Sequence, residues 1–276
     1  MSVVTFWSNG KEQTGKTMSI AAIATYMAIE HNKRILVVST ANKKDALENC
    51  FWEQQKKKKL FGLFSPNTNY VDTQNGIDGL VKLMKSNKIT SEIITNYTKI
   101  VFKDRLEILL GSVTLDDKST YYPDIIKMAN EFYDMVFVDL DNSINEFARL
   151  QILKDSNLII ANVNQRLASL DQFVEACETE EYLDSNKLLI LMGRYDKYSK
   201  YNSKNVARYL GVKKEILTIP YNTLFFEAAE EAGVPDMFLR FRKTTDEEDR
   251  NGFFIQEVKK ATDAIIYKLQ DLQMGM

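Results

Sequence analysis

The sequence predicts a three-layer α/β protein: a doubly wound, mostly parallel sheet with helices on both faces. Three observations carry that expectation. The short apolar runs are nearly continuous instead of alternating, which is how strands covered on both faces read. Helical patterns separate those runs, and the β-then-α order repeats, so that right-handed crossovers close a parallel sheet. At 276 residues, 45% of them hydrophobic and 11% aromatic, the chain can bury a core of that kind.

Val3-Val4-Thr5-Phe6-Trp7 is the first strand, β-branched and aromatic, and it ends at the turn signal Ser8-Asn9-Gly10. Residues 16–29 follow as a helix, with Met18, Ala21, Ala22, Ala24, Thr25 and Ala28 as a small-residue packing face. Ile35-Leu36-Val37-Val38 is the next strand, and further strands are expected at 106–110, 135–138, 158–161, 188–191 and 216–219. Residues 42–103 break the rhythm with helical pieces, the lysine run 56–59 and the loop-like Ser65-Pro66-Asn67-Thr68-Asn69. They read as an irregular helical insertion at the sheet edge or over its carboxyl end, within one domain spanning 1–276, and the lysine run reads as a solvated helix face. Near the C-terminus Phe254, Val258, Ala261, Ile265, Leu269 and Leu272 recur at spacings of three and four. That stripe belongs to a helix of about 252–272 docked over the core.

Composition excludes several classes. Thirty-six basic against 38 acidic residues leave a net charge of -2, so no global field attracts nucleic acid. Arg240, Arg242 and Lys243 are the candidate contact for DNA, a partner the charge balance does not favour. Cys50 and Cys177 lie too far apart for a CxxC site and read as buried small side chains. A single histidine, His31, all but removes zinc clusters and reads as a partner of the first helix's C-terminal dipole. Trp7 and Trp52 read as packing residues. No apolar run approaches the roughly 18 residues of a membrane span, and no signal peptide opens the chain. A soluble, cytoplasmic, reducing setting follows.

Gly10-Lys11-Glu12-Gln13-Thr14-Gly15-Lys16-Thr17 matches G-x-x-x-x-G-K-[ST] in full, leaving the first strand and opening the first helix. A loop with glycines at its ends can turn successive backbone N–H groups inward as an anion cradle, and the helix dipole adds to it. The loop amides through Met18 then hold phosphates, Lys16 reaches the β- and γ-phosphates, and the Thr17 hydroxyl ligates Mg²⁺. Met135-Val136-Phe137-Val138-Asp139 is an apolar strand ending in a carboxylate. The carboxyl end of a parallel sheet is where ligands bind, so Asp139 is the second expected Mg²⁺ ligand, with Asp141 as a fallback.

These residues carry a resemblance. Lys11, five residues before Lys16, resembles the signature lysine of the deviant Walker A motif, which marks the ParA/MinD family of P-loop ATPases. The likeness runs through most of the chain. Residues 34–38 are similar to the family's second strand, Leu109-Leu110-Gly111-Ser112 to its leucine–proline–glycine strand end, and residues 133–139 to its Walker B strand. Ile219-Pro220-Tyr221-Asn222 is similar to the isoleucine–proline segment near the adenine, followed by Ala228 and Gly233-Val234-Pro235. The resemblance implies ATP and Mg²⁺ as cofactors and Arg194, Pro220 and Tyr221 at the base. It also implies an ATP-bound sandwich homodimer in which Lys11 of one copy reaches its partner's phosphates. Such proteins position DNA, division or secretion machinery in bacteria.

Several positions depart from the family pattern. Glu12 and Gln13 stand where glycines are usual, and Ser39 and Ala41 where the second strand normally ends in acidic residues. Leu140-Asp141-Asn142-Ser143 replaces the glycine-containing switch, and Gly193, followed by Arg194, stands at the adenine-reading asparagine. Losing a water-orienting carboxylate slows phosphoryl transfer more than it weakens binding. The expected function is therefore an ATP-dependent dimerising spatial or partitioning switch with weak ATPase activity and an unidentified protein partner. The alternative is a non-hydrolysing nucleotide-binding scaffold, a localisation factor of the TadZ/CpaE kind, that recruits such a partner. A third reading is a metabolic relative that uses ATP to activate a small carboxylate.

Overall fold

The computed structural model describes residues 1–9, 13–41, 45–53, 76–86, 90–111, 118–180, 183, 185–213 and 215–275. The chain opens with β1 (Ser2–Trp7), α1 (Lys16–Glu30) and β2 (Ile35–Ser39). It continues through α2 (Asp45–Asn49), α3 (Gly76–Met84), β3 (Lys99–Phe102) and β4 (Leu106–Leu109). Next come α4 (Tyr122–Asn130), β5 (Met135–Asp139), α5 (Glu146–Asp155), β6 (Leu158–Val163) and α6 (Leu167–Thr179). β7 (Leu188–Tyr195), α7 (Ser203–Tyr209), β8 (Leu217–Pro220), α8 (Thr223–Glu230), α9 (Val234–Phe241) and α10 (Arg250–Met274) complete it. Among the described residues the strands form one sheet in the order β3-β4-β2-β5-β1-β6-β7-β8.

Every neighbouring pair is parallel except β3 with β4. The sequence gives that edge strand no place, since Lys-Ile-Val-Phe neither alternates nor stays apolar. It forms because the chain turns back at Asp104, which adopts φ 59, with the Arg105 amide on the Phe102 carbonyl at 3.0 Å. Lys99 and Ile100 stay exposed, and the pairing shifts register between Ile100 and Phe102. A lysine and a bulge on an edge discourage pairing with another chain.

Alternate residues of each strand feed two cores. Val4 and Phe6 pack with α1, α8, α9 and α10 on one face, and Val3 and Trp7 with α3 to α6 on the other. Residues 19–28 of α1 are all buried, so the helix has no single small-residue face. It is covered on its outer side as well, by α9 and α10, and a helix apolar all round is what such a position requires. α10 is capped by Asp249, whose Oδ2 accepts from the amides of Asn251 at 2.9 Å and Gly252 at 2.8 Å, a cap that contributes about 1 kcal/mol. Phe254, Val258, Ala261, Ile265 and Leu269 then pack on that core.

A polar cluster ties the sheet together at the amino end of β2. Glu107 of β4, 3% exposed, accepts from Arg34 at 2.9 Å and from the hydroxyls of Thr98 and Tyr133, each at 2.6 Å. The Arg34 guanidinium lies over Phe132, 4.1 Å from the ring centre. Burial pushes the Glu107 carboxyl upward, but the three hydrogen bonds and the Arg34 charge outweigh it and hold its pKa below the ordinary value. A depressed carboxylate pKa contributes stability above the unfolded value, about 4.3, and loses it as pH falls through the folded value. Glu107→Gln is therefore expected to cost about 2 kcal/mol at pH 7 and to flatten the loss of stability below about pH 4.3. Urea melts of both proteins from pH 3 to 7 check this, and parallel acid limbs contradict it.

Candidate functional site

The carboxyl ends of β1 and β5 meet the start of α1. Gly10, Lys11 and Glu12 lie outside the described residues, and the loop is described from Gln13 onward. Gly15 caps α1 in the left-handed region at φ 76, where a side chain is strained, and a Cβ there would come within 2.8 Å of the Arg194 side chain. The first intrahelical bond runs from the Ser19 amide to the Gly15 carbonyl at 2.9 Å. The amides of Lys16, Thr17 and Met18 precede it at the positive end of the helix.

Parallel pairing of β1 with β5, Phe6 opposite Asp139, sets that carboxylate beside the first turn of α1. Asp139 is 2% exposed. The Lys16 ammonium sits 3.2 Å from Asp139 Oδ1 and also donates to the Leu140 carbonyl, and the Thr17 hydroxyl donates to Asp139 Oδ2 at 2.7 Å. Three of the residues singled out in the sequence thus converge from two segments over 120 residues apart. Thr40, which nothing in the sequence marks, clamps the neighbouring strand end. Its amide and hydroxyl both donate to the Asp139 carbonyl, at 3.1 and 3.0 Å, and the hydroxyl accepts from the Asp141 amide at 2.7 Å. Ser39 lies opposite Asp139 in the sheet, and its hydroxyl accepts from the Ala41 amide at 3.3 Å. The Asp141 carboxylate is bound up in its own turn, accepting from the amide and hydroxyl of Ser143.

A cleft of about 680 Å³ extends from Gln13, Lys16, Thr17 and Met18 to Arg194, Pro220 and Tyr221. Arg194 adopts φ 53 and donates to the Gln13 side-chain carbonyl at 3.1 Å, so it reaches back over the loop. Gly193 explains that closeness: a Cβ there would stand 2.2 Å from the Thr14 carbonyl oxygen. β7 and the loop are therefore packed backbone against backbone. Asn222 anchors the far wall, its Oδ1 capping α8 from the Phe225 amide at 2.8 Å and its Nδ2 donating to Asn251 at 3.0 Å. Ser19, 1% exposed, also lines the cleft, and its hydroxyl finds no hydrogen-bond partner among the described residues.

Other candidates fall outside this site. Cys50 is buried, and burial above all, then Glu230, pushes its thiol up to about 12, which rules out thiolate chemistry at neutral pH. Cys177 is exposed, contrary to the expectation of a buried side chain, because it lies on the outer face of α6. His31 caps α1 through its amide on the Met27 carbonyl at 2.9 Å, and its ring lies 3.7 Å from Asp263. Trp7 is buried against Phe173, and Trp52 sits half-buried beneath Lys99. Arg242 of the basic patch pairs with Glu30 at 3.2 Å, which leaves that patch weaker than its sequence suggests. The lysine run 56–59 and residues 65–69 lie outside the described residues. Among the described residues no three His, Cys, Asp or Glu side chains form a metal cluster, and no helix is long and apolar enough to cross a membrane.

Strand order, parallel pairing and a loop that opens the first helix define an α/β fold of the P-loop type. No protein-family model matches the chain, and no curated protein matches it significantly. Solved structures do. A ParA family ATPase from Chlorobium tepidum is 17% identical, with 95% of this chain and 98% of that one covered and a TM-score of 0.69. The septum site-determining protein MinD of Pyrococcus horikoshii, complexed with Mg-ADP, is 16% identical over 97% of this chain and 98% of that one, TM-score 0.64. A plasmid partition protein from Borrelia burgdorferi bound to AMPPNP is 16% identical, with coverages of 99% and 98% and a TM-score of 0.60. At such identities the likeness is one of fold: the chain has the fold of ParA/MinD P-loop NTPases.

Proposed function

We propose that this chain is a divergent ParA/MinD-type protein that binds ATP with Mg²⁺ in the cleft and uses the bound state to pair two copies. The observation that carries the reading is the convergence of Lys16, Thr17 and Asp139 at the start of α1. The site fits a magnesium nucleotide. One cation and a row of helix amides face the phosphate end, hydroxyl and carboxylate oxygens suit a hard divalent ion, and Ser19 supplies a buried hydroxyl. Bound Mg²⁺ supplies charge neutralisation for the phosphates. Lys16 holds the β- and γ-phosphates, Thr17 and Asp139 hold the ion, and the amides of Gln13 through Met18 line the phosphate tail. Lys11, outside the described residues, is the residue the resemblance assigns to the partner copy's phosphates.

Slow turnover accompanies this reading, because Ser39 presents a hydroxyl, itself engaged by Ala41, where a carboxylate would orient water. The same feature favours the second reading, a non-hydrolysing scaffold that recruits a protein partner. In both, the chain acts as one cytoplasmic domain, and DNA is a weaker partner since Arg242 is paired. Light scattering of the full chain with saturating Mg-ATP is expected to give twice the monomer mass, and Lys16→Ala the monomer mass. A wild-type protein that stays monomeric sinks the switch. Phosphate release abolished by Asp139→Ala sinks the scaffold.

A further inference from the structure

The cleft holds its two ends by different means, and the difference bears on which nucleotides it takes. At the phosphate end charged and polar atoms converge. At the far end the amides of Tyr221, Phe225 and Phe226 and the Asn222 side chain are already used. The Tyr221 amide donates to the Tyr195 carbonyl at 2.9 Å, the Phe225 amide to Asn222 Oδ1 at 2.8 Å, and the Phe226 amide to the Asn222 carbonyl at 3.0 Å. Pro220 has no N–H. The Asn222 amide group spends its Nδ2 on Asn251 at 3.0 Å. Gly193, facing the loop, offers no side chain, and a Cβ there would stand 2.2 Å from the Thr14 carbonyl oxygen, which leaves no room for one.

What this end presents instead is ring surface. Tyr221 is 54% and Phe226 48% exposed, large values for aromatic side chains on a cleft wall, and their ring centres lie 6.5 Å apart. Stacking on an aromatic ring tolerates every base because every base has a π-face. Discrimination between bases needs unspent donors and acceptors set against the base edge; a site without them rejects little. The groups that remain do not separate the purines. The Tyr221 hydroxyl both donates and accepts, and Arg194 is turned back over the loop, where it donates to the Gln13 side-chain carbonyl at 3.1 Å.

We propose that the base end of the cleft binds the nucleotide base by stacking on Tyr221 and discriminates little between adenine and guanine. This rests on the cleft being a nucleotide site, as set out above. Tyr221 is then a binding residue that adds affinity without choosing the base.

Calorimetric titration of the full chain with the magnesium salts of ATP, GTP and tripolyphosphate tests it. ATP and GTP are expected to bind with dissociation constants within tenfold of each other. Tyr221→Ala is expected to weaken both by about tenfold and to leave tripolyphosphate unchanged, while Tyr221→Phe retains wild-type affinity. More than a tenfold preference for either purine overturns the proposal and leaves the nucleotide site standing. Equal losses of nucleotide and tripolyphosphate in Tyr221→Ala, a loss confined to one base, or no loss at all also overturn it. If wild-type protein binds none of the three, the nucleotide reading falls and this proposal with it.

Discussion

Replacing Lys16 by alanine is expected to destabilise the nucleotide-free protein by about 3 kcal/mol as well as to remove Mg-ATP binding. The expectation comes from how little water reaches the pair: the Lys16 side chain is 12% and that of Asp139 3% exposed, with 3.2 Å between the charges. Removing the ammonium leaves a desolvated carboxylate with the Thr17 hydroxyl at 2.7 Å as its remaining side-chain partner. Asp139→Ala strands the ammonium in turn and costs a similar amount. The double variant leaves no uncompensated charge, so its loss falls well short of the sum of the single losses. Urea denaturation without nucleotide measures all three. Additive losses mean that the pair does not exist in solution. ATP titration of the same variants separates this structural term from ligand binding, because a phosphate tail offers Lys16 a second set of oxygens. Binding then exchanges one ion pair for another, which moderates the affinity that the lysine contributes.

Most of the sheet could be read from the chain because every central strand carries a nearly continuous apolar run. Val136-Phe137-Val138 and Ile159-Ile160-Ala161 have only one environment open to them, between two helical layers. The ends of elements were less legible. β7 runs on through Gly193 to Tyr195, past its apolar stretch, since pairing with β8 extends it. β3 was not legible at all: its four residues are held by the turn at Asp104 and by partner backbone, neither of which leaves a hydrophobic period.

The site divides in the same way. Lys16, Thr17 and Asp139 carry local signals, a loop pattern and a strand that ends in a carboxylate, and the parallel register does the rest. Thr40 carries none, because its role is to hold another residue's backbone carbonyl. The Glu107 cluster shows how a resemblance and a local cause can coincide. Tyr133 and Asp134 look like part of a motif, yet Tyr133 bonds Glu107 at 2.6 Å and Asp134 accepts from the Arg34 amide at 2.8 Å, which is reason enough for both. Asp141 marks the limit of spacing arguments: two residues from Asp139, it is turned into a local hydrogen-bonded turn.

Gly193→Asn, which restores the amide found at this position in the ParA/MinD pattern, is expected to weaken nucleotide binding instead of improving it. Any Cβ at residue 193 meets the Thr14 carbonyl oxygen at 2.2 Å, the Ser19 hydroxyl at 3.1 Å and the Gly15 Cα at 3.3 Å. Two of these are loop backbone and cannot rotate away. Either β7 or the loop has to shift, and a shift of the loop moves the amides that face the phosphates. Overpacking of this kind costs about 1–3 kcal/mol, so Gly193→Ala already lowers the denaturation midpoint and Gly193→Asn lowers it further. Gly233→Ala is the control: its nearest neighbour would lie at 3.6 Å, an ordinary contact, and it is expected to stay near wild type in both stability and nucleotide affinity. Greater ATP affinity in Gly193→Asn contradicts the steric account, because it requires the new side chain to enter the cleft without displacing the loop. Unchanged stability contradicts it from the other side, by showing that β7 yields at no cost. A Gly193→Asn protein that loses stability and ATP affinity together, with Gly233→Ala unaffected, ties the departure from the family pattern to loop packing, since with β7 held this close to residues 14 and 15 only a residue without a side chain fits.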